Sequence, residues 1–318
     1  PALASLLPLY REGSLAIVHA VGSQDSTRSH FEAMSAMERG LSGREDEAAN
    51  GWLARHLASC PASKSTPLRA VSFGSVMPDS LRGAPGAVSV QSLEEFRLES
   101  KDEARLRESL GRLYAEGKDA MSVAGRETLE VLATLAKLSP EEAKPENSAV
   151  YPDSGLGKGL RQVAFLVRAG VGLEVACLDM GGWDTHVAQG VTAGWLPGLL
   201  KDLADSLAAF DKDLGLERSR VTVVVQTEFG RRVAENAGLG TDHGRASCMI
   251  LVGAGVIGGR VVRKWPGLGS KVLEGPGDLP VTIDYRDPLS EVLSKRTAAT
   301  DLRSVFPGFN QAEIGLMA

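Results

Sequence analysis

Asp184 and His186 stand two residues apart in Cys177-Leu-Asp-Met-Gly-Gly-Trp-Asp-Thr-His186, directly after an apolar run from Leu173 to Leu178. A carboxylate and an imidazole presented by a glycine turn at the end of a buried strand can bind a metal or an anion. The alternative is a capping turn with an exposed histidine. A second pair, Asp242-His243, lies in Gly240-Thr-Asp-His-Gly244, just before the apolar run Cys248 to Val252. Between the two, Arg220-Val-Thr-Val-Val-Val-Gln226 runs into Thr227-Glu228-Phe229-Gly230-Arg231. Glu228 is either a further ligand or the ion-pair partner of Arg231 or Arg232. Asp242 is either a ligand or the group that orients His243. Arg231 offers a planar fork that matches a phosphate or sulfate oxyanion, or else a surface ion pair. The expected metal set is therefore Asp184, His186, Glu228, Asp242 and His243. Mixed carboxylate and imidazole donors suit Zn, Mn or Fe better than Ca or Mg.

A hydroxyl is also available. Ser29 closes the polar loop Gly22-Ser-Gln-Asp-Ser-Thr-Arg-Ser-His30, and with Glu32 it matches the S-x-x-E capping box. It is equally a candidate nucleophile, because a helix start stabilises an incoming anion. His19 and His30 have no partner in the local sequence and read as structural. His56 reads as a surface histidine.

Residues so far apart meet only if strand ends converge, which is how α/β proteins build sites from loops. Strand 173–178, helix 195–214 and strand 221–226 are expected to form a βαβ unit with parallel strands and a right-handed crossover. The helix carries Leu196, Leu199, Leu203, Leu207, Phe210 and Leu214 on one face. Residues 248–252 add a strand, 155–168 a helix, and 15–18 a strand ahead of a helix over 30–39. Residues 41–150, with strands at 70–73 and 87–90 and helices over 93–116 and 118–137, carry no ligand cluster and read as a peripheral or capping insertion. Gly253-Ala-Gly255-Val-Ile-Gly258 matches G-x-G-x-x-G, but Arg260-Val-Val-Arg-Lys-Trp-Pro266 follows where a dinucleotide site needs a helix.

The chain has 318 residues, 43% hydrophobic and 24% charged, which is enough for one large globular domain. A net charge of −5 and no concentrated basic stretch argue against a nucleic-acid partner. No apolar run approaches the roughly 20 residues of a membrane span. Cys60, Cys177 and Cys248 form no CxxC pair and imply neither a disulfide framework nor a cysteine zinc site. The start at Pro1, without Met or signal peptide, reads as a processed or trimmed product.

At Gly181-Gly-Trp-Asp-Thr-His186, Thr227-Glu-Phe-Gly-Arg231 and Asp242-His-Gly244 the chain resembles a bacterial family catalogued only as domain of unknown function 1501. Leu15-Ala-Ile-Val-His-Ala-Val-Gly22, Arg28-Ser-His-Phe31, Met37-Glu-Arg-Gly40 and Asp284-Tyr-Arg-Asp287 look like further blocks of it, so the likeness covers nearly the whole chain. That family looks related to the alkaline phosphatase and sulfatase superfamily. The resemblance implies an α/β fold: a mostly parallel sheet flanked by helices, alkaline-phosphatase-like, with residues 41–150 as a peripheral helical insertion. It implies metal ions at strand ends, with Asp184, His186 and His243 on one of them, and attack by a Ser or Thr on a small anionic ester. Ser29 falls near that nucleophile. Phe229 stands where the superfamily places a second-metal histidine, and the family's first, Asp-bearing strand would lie before Pro1. Family members are generally exported through a twin-arginine signal, which implies a periplasmic or secreted protein. The expected function is a metal-dependent hydrolase of phosphate or sulfate esters. The alternative is a non-catalytic exported binding or structural protein with a degenerate metal site. The sequence leaves the oligomeric state open.

Overall fold

The computed structural model describes residues 1–42, 49–60, 66–140, 144–262, 264–297 and 301–318. Its strands are β1 (Leu15–Gly22), β2 (Ala70–Phe73), β3 (Ala87–Val90), β4 (Val175–Leu178), β5 (Thr222–Val225), β6 (Ser247–Gly253), β7 (Arg260–Val262) and β8 (Ile283–Asp284). The helices are α1 (Leu7–Arg11), α2 (His30–Glu38), α3 (Trp52–Ser59), α4 (Glu103–Tyr114), α5 (Ala120–Leu138), α6 (Gly155–Arg168), α7 (Trp195–Leu214), α8 (Arg286–Arg296) and α9 (Leu302–Val305).

β1 is the central strand. Its Leu-Ala-Ile-Val run packs side chains on both faces, and its edges pair with β6 on one side and with β7 and β8 on the other. One sheet runs β5-β6-β1-β7 with β8 beside the end of β1, and a second runs β3-β2-β4. The smaller sheet is parallel throughout. The larger is mixed, because β6 is antiparallel to both β1 and β5. Strand direction is therefore mixed in one sheet and parallel in the other, within an α/β architecture. The expected βαβ pair is corrected: β4 pairs with β2 and β5 with β6, so the strands joined by α7 belong to different sheets. Apolar periodicity marks a strand but is silent about the edge and direction in which it pairs.

Helices cover both faces. On one, Ala16, Val18, Met249 and Leu251 pack against Trp52 and Leu57 of α3 and Leu289 and Leu293 of α8. On the other, Leu15, Ile250 and Val252 meet Leu160 and Val163 of α6 and Leu203, Leu207 and Phe210 of α7. This is the three-layer solution for a sheet with two apolar faces. Within 41–150, α3, β2 and β3 join these layers, and α5 packs Val131 and Leu135 on Val71 and Val90. Residues 43–48, 61–65 and 141–143 of that stretch lie outside the described residues. His56, expected on the surface, is buried on α3 with 4% exposure, and burial lowers its pKa. Gly258 leads into β7, as the strand-like sequence after the glycines predicts.

The carboxyl-terminal segment is fastened by one side chain. Buried Glu291 of α8 accepts the backbone N–H groups of Ile314 (2.5 Å), Gly315 (2.6 Å), Leu316 (2.5 Å) and Met317 (3.3 Å). No helix among the described residues is long and apolar enough to cross a membrane.

Candidate functional site

Four loops at strand ends deliver the polar residues. After β1, Ser29 caps α2 by accepting the Glu32 N–H (3.5 Å), so His30 is the first residue of that helix. The Glu32 carboxylate bonds the Thr27 hydroxyl (2.8 Å), and the Ser29 N–H donates to that same hydroxyl oxygen (3.3 Å). After β4 the Gly181-Gly182 turn is fastened by the Trp195 indole, which donates to the Gly182 carbonyl (2.9 Å). Asp184 and His186 follow. The loop after β5 and the segment entering β6 cross at a bridge between Arg231 and His243. A Cβ on Gly230 would lie 1.9 Å from the Ala246 oxygen, and one on Gly244 would lie 2.5 Å from the Arg231 carbonyl carbon. Only glycine admits so close a crossing.

The crossing brings four donor atoms together. Asp184 Oδ1 lies 2.9 Å from Nε2 of His186, 2.9 Å from Nε2 of His243 and 3.5 Å from Nε2 of His30. His243 Nε2 lies 2.9 Å from His186 Nε2 and 3.1 Å from His30 Nε2. Each ring is held from behind through its other nitrogen. His30 Nδ1 donates to Glu228 Oε1 (2.6 Å), His186 Nδ1 to Asp242 Oδ1 (3.2 Å) and His243 Nδ1 to the Arg28 carbonyl (2.8 Å). Since each Nδ1 faces an acceptor, it carries the hydrogen, and each Nε2 presents its lone pair. Three lone pairs and a carboxylate oxygen at these distances repel one another unless they share a proton or a cation.

One positive group already touches the set. Arg231 donates to Asp184 Oδ1 (2.5 Å) and to the carbonyls of Trp183 (2.9 Å) and Thr241 (3.0 Å). Burial opposes ionisation of Asp184, but the hydrogen bond and positive charge of Arg231 outweigh it and hold the carboxyl well below its usual range. Asp242 is also held low, by the Asn236 amide first and then by His186. The Phe229 ring packs on His30 (4.8 Å between centroids) and His243 (5.0 Å) and forms an apolar wall. Beside it a pocket is lined by Ser23, Asp25, Thr27, Glu228 and Arg245.

The structure thus brings Asp184, His186 and His243 together, with Arg231 against them. Glu228 and Asp242 stand behind the imidazoles, and Asp242 backs His186 rather than His243. His30, which the sequence alone presents as structural, joins the cluster. The one signal for it was position: it follows the loop at the end of the central strand, as the other three site segments follow or enter core strands. Among the described residues, the His, Cys, Asp and Glu side chains whose ligand atoms all lie within 4.8 Å of one another, close enough to share a metal ion, are His30, Asp184 and His243.

No curated protein and no solved structure matches the chain. A family profile does, over residues 13–316, a span that contains β1 and each of the four site loops. Its description is "Protein of unknown function (DUF1501)", and by that match the chain belongs to the DUF1501 family.

Proposed function

We propose that this chain is a metal-dependent hydrolase of phosphate or sulfate esters, with one Zn, Mn or Fe ion held by His30, His186, His243 and Asp184. The carrying observation is the convergence of three anchored imidazole Nε2 atoms on one carboxylate oxygen. The mutual separations of Asp184, His243 and His30, 2.9–3.5 Å, match the edge of about 3.3 Å in a tetrahedral site with bonds near 2.0–2.1 Å. Bound there, the ion would lower the pKa of an attacking oxygen and stabilise developing charge.

The chain's own residues have separate tasks. Glu228, Asp242 and the Arg28 carbonyl fix the tautomer and orientation of the three rings. Arg231, already at the cluster, would pair with the ester's non-bridging oxygens through its fork. Phe229 excludes water from one side of the rings, which strengthens electrostatic contacts there. Ser29 is the candidate nucleophile. Kinship with the alkaline phosphatase and sulfatase superfamily and export to the periplasm or medium belong to the same proposal.

A second reading, a binding or structural protein with a degenerate site, is favoured by one contact: Arg231 sits on the same Asp184 oxygen that would ligate. Elemental analysis decides between them. About one Zn, Mn or Fe per chain, lost in His30→Ala, His186→Ala and His243→Ala, together with turnover of p-nitrophenyl phosphate or sulfate, supports the hydrolase. Metal without turnover, or a wild type that cannot be loaded, removes the hydrolase and supports the second reading.

A further inference from the structure

Single apolar side chains on a protein surface are ordinary, but around this site they are grouped. Phe31 and Val187 directly follow His30 and His186 in sequence, and they are 88% and 72% exposed. Met34, also exposed, lies one turn along α2 from both His30 and Phe31, so that side of the helix carries an imidazole, an aromatic ring and a thioether. On the crossing loops Val187 bridges Leu239, which sets their two side chains on one side. The Asp184 carboxylate between these elements is itself half-exposed, so the cluster opens to solvent among them.

Leu239 is 64% exposed, and its φ of +59° lies in the left-handed region that leucine enters only at a cost. Its neighbours Gly238 and Gly240 answer a steric demand, since a Cβ on them would lie 2.9 Å from the His186 oxygen and 2.3 Å from the His186 carbonyl carbon. Glycine or asparagine at 239 would make the same turn without strain. The leucine therefore gains nothing from the backbone and nothing from a core. The platform beneath it is fixed, because the Ala188 and Gln189 N–H groups donate to the Gly238 (2.9 Å) and Leu239 (3.0 Å) carbonyls. Its polar side chains are engaged as well. Gln189 Oε1 accepts the Thr185 and Thr241 hydroxyls, and Asn236 Oδ1 accepts the Gly238 and Gly240 N–H groups.

Resting on the hydrolase reading, we propose that the rim of Phe31, Met34, Val187 and Leu239 takes the alcohol portion of the ester, and that the substrate is an amphiphile, a phosphate or sulfate monoester of a long-chain alkyl or aryl alcohol. The metal and Arg231 hold the anionic head, and the rim holds the apolar tail. Water adds across the P–O or S–O bond, which releases the free alcohol and inorganic phosphate or sulfate. A sugar ester would bring hydroxyls against apolar side chains, where they lose water without gaining partners.

Titration calorimetry with two non-hydrolysable probes tests this. In the Zn-loaded chain n-octylphosphonate, kept below its micelle concentration, should bind at least about tenfold more tightly than methylphosphonate, since each buried methylene adds to affinity. In the double variant Val187→Thr, Leu239→Asn that ratio should fall about threefold or more. Threonine keeps the shape of valine, and asparagine tolerates the left-handed backbone, so the loops keep their course. A ratio near one in wild type, or one unchanged in the double variant, overturns the inference and leaves the metal reading standing. Failure of both phosphonates to bind removes the two together. An octyl preference of equal size in chelator would detach the apolar surface from the anion site and overturn the inference. Binding to phosphatidylcholine vesicles that the double variant loses, without an octyl preference in solution, would make the rim a membrane contact and overturn it too.

Discussion

Glu228 Oε1 lies 2.6 Å from His30 Nδ1, across 198 positions of sequence. The contact joins the loop after β5 to the first turn of α2, so the orientation of one ring depends on two distant parts of the chain. A carboxylate behind an imidazole raises the basicity of the far nitrogen and fixes its direction.

Glu228→Ala should therefore weaken Zn binding by roughly 10–100-fold while leaving the fold intact. Titration calorimetry with Zn and a thermal melt in chelator measure the two effects. Wild-type affinity in the variant would mean that His30 is not a ligand.

Asp184 makes a pH-dependent contribution. Its carboxyl is held below the ordinary value of 3.8, so the folded state favours the ionised form. That stability is present above the unfolded pKa and lost as pH falls through the folded one. In chelator, Asp184→Asn should melt below wild type at pH 7, and the gap should close as the pH drops below about 4. A gap that is constant from pH 7 to pH 2 would show that charge is not its origin.

Glu38 has the opposite sign. Burial raises its pKa above 4.5, Asp179 and Asp79 push the same way, and the Ser80 N–H at 3.2 Å only partly offsets them. A raised carboxyl binds its proton more tightly in the folded chain, so stability declines as pH rises past the unfolded value. Glu38→Gln should gain on wild type between pH 4.5 and 8, as read from urea midpoints. No gain over that range would indicate that the carboxylate is fully compensated.

Glu291→Ala removes the acceptor of four backbone donors. The loss should be on the order of 3 kcal/mol, since buried donors left unsatisfied are costly. Amides 314–317 should lose protection first. Equal protection in the variant would show that the segment is held by the packing of Leu316 and Met317 alone.

Local structure was legible wherever one period dominated. The leucines of 195–214 recur at helical spacing, and α7 spans those residues. The runs at 70–73 and 87–90 became β2 and β3 at the same bounds. Pairing was not legible, because β6 reads the same whether it lies parallel or antiparallel to β1. His30 shows the same limit in the site. Its partners Glu228 and His243 lie about 200 residues away in sequence, and nothing around Arg28-Ser-His-Phe31 indicates them. His56 misled for a related reason: it lies in the stretch read as a peripheral insertion, but α3 packs on the core and turns it inward.

The cap on α2 affects how genetics at this site must be interpreted. Ser29 starts the helix whose first residue is His30, so Ser29→Ala deletes a hydroxyl and also loosens the backbone that aims an imidazole. An inactive Ser29→Ala variant would thus imitate the loss of a nucleophile without having lost one. Ser29→Asn separates the two, because asparagine caps as well as serine but offers no hydroxyl. Activity that survives in the asparagine variant and dies in the alanine variant would assign the serine to architecture, and inactivity in both would return it to chemistry.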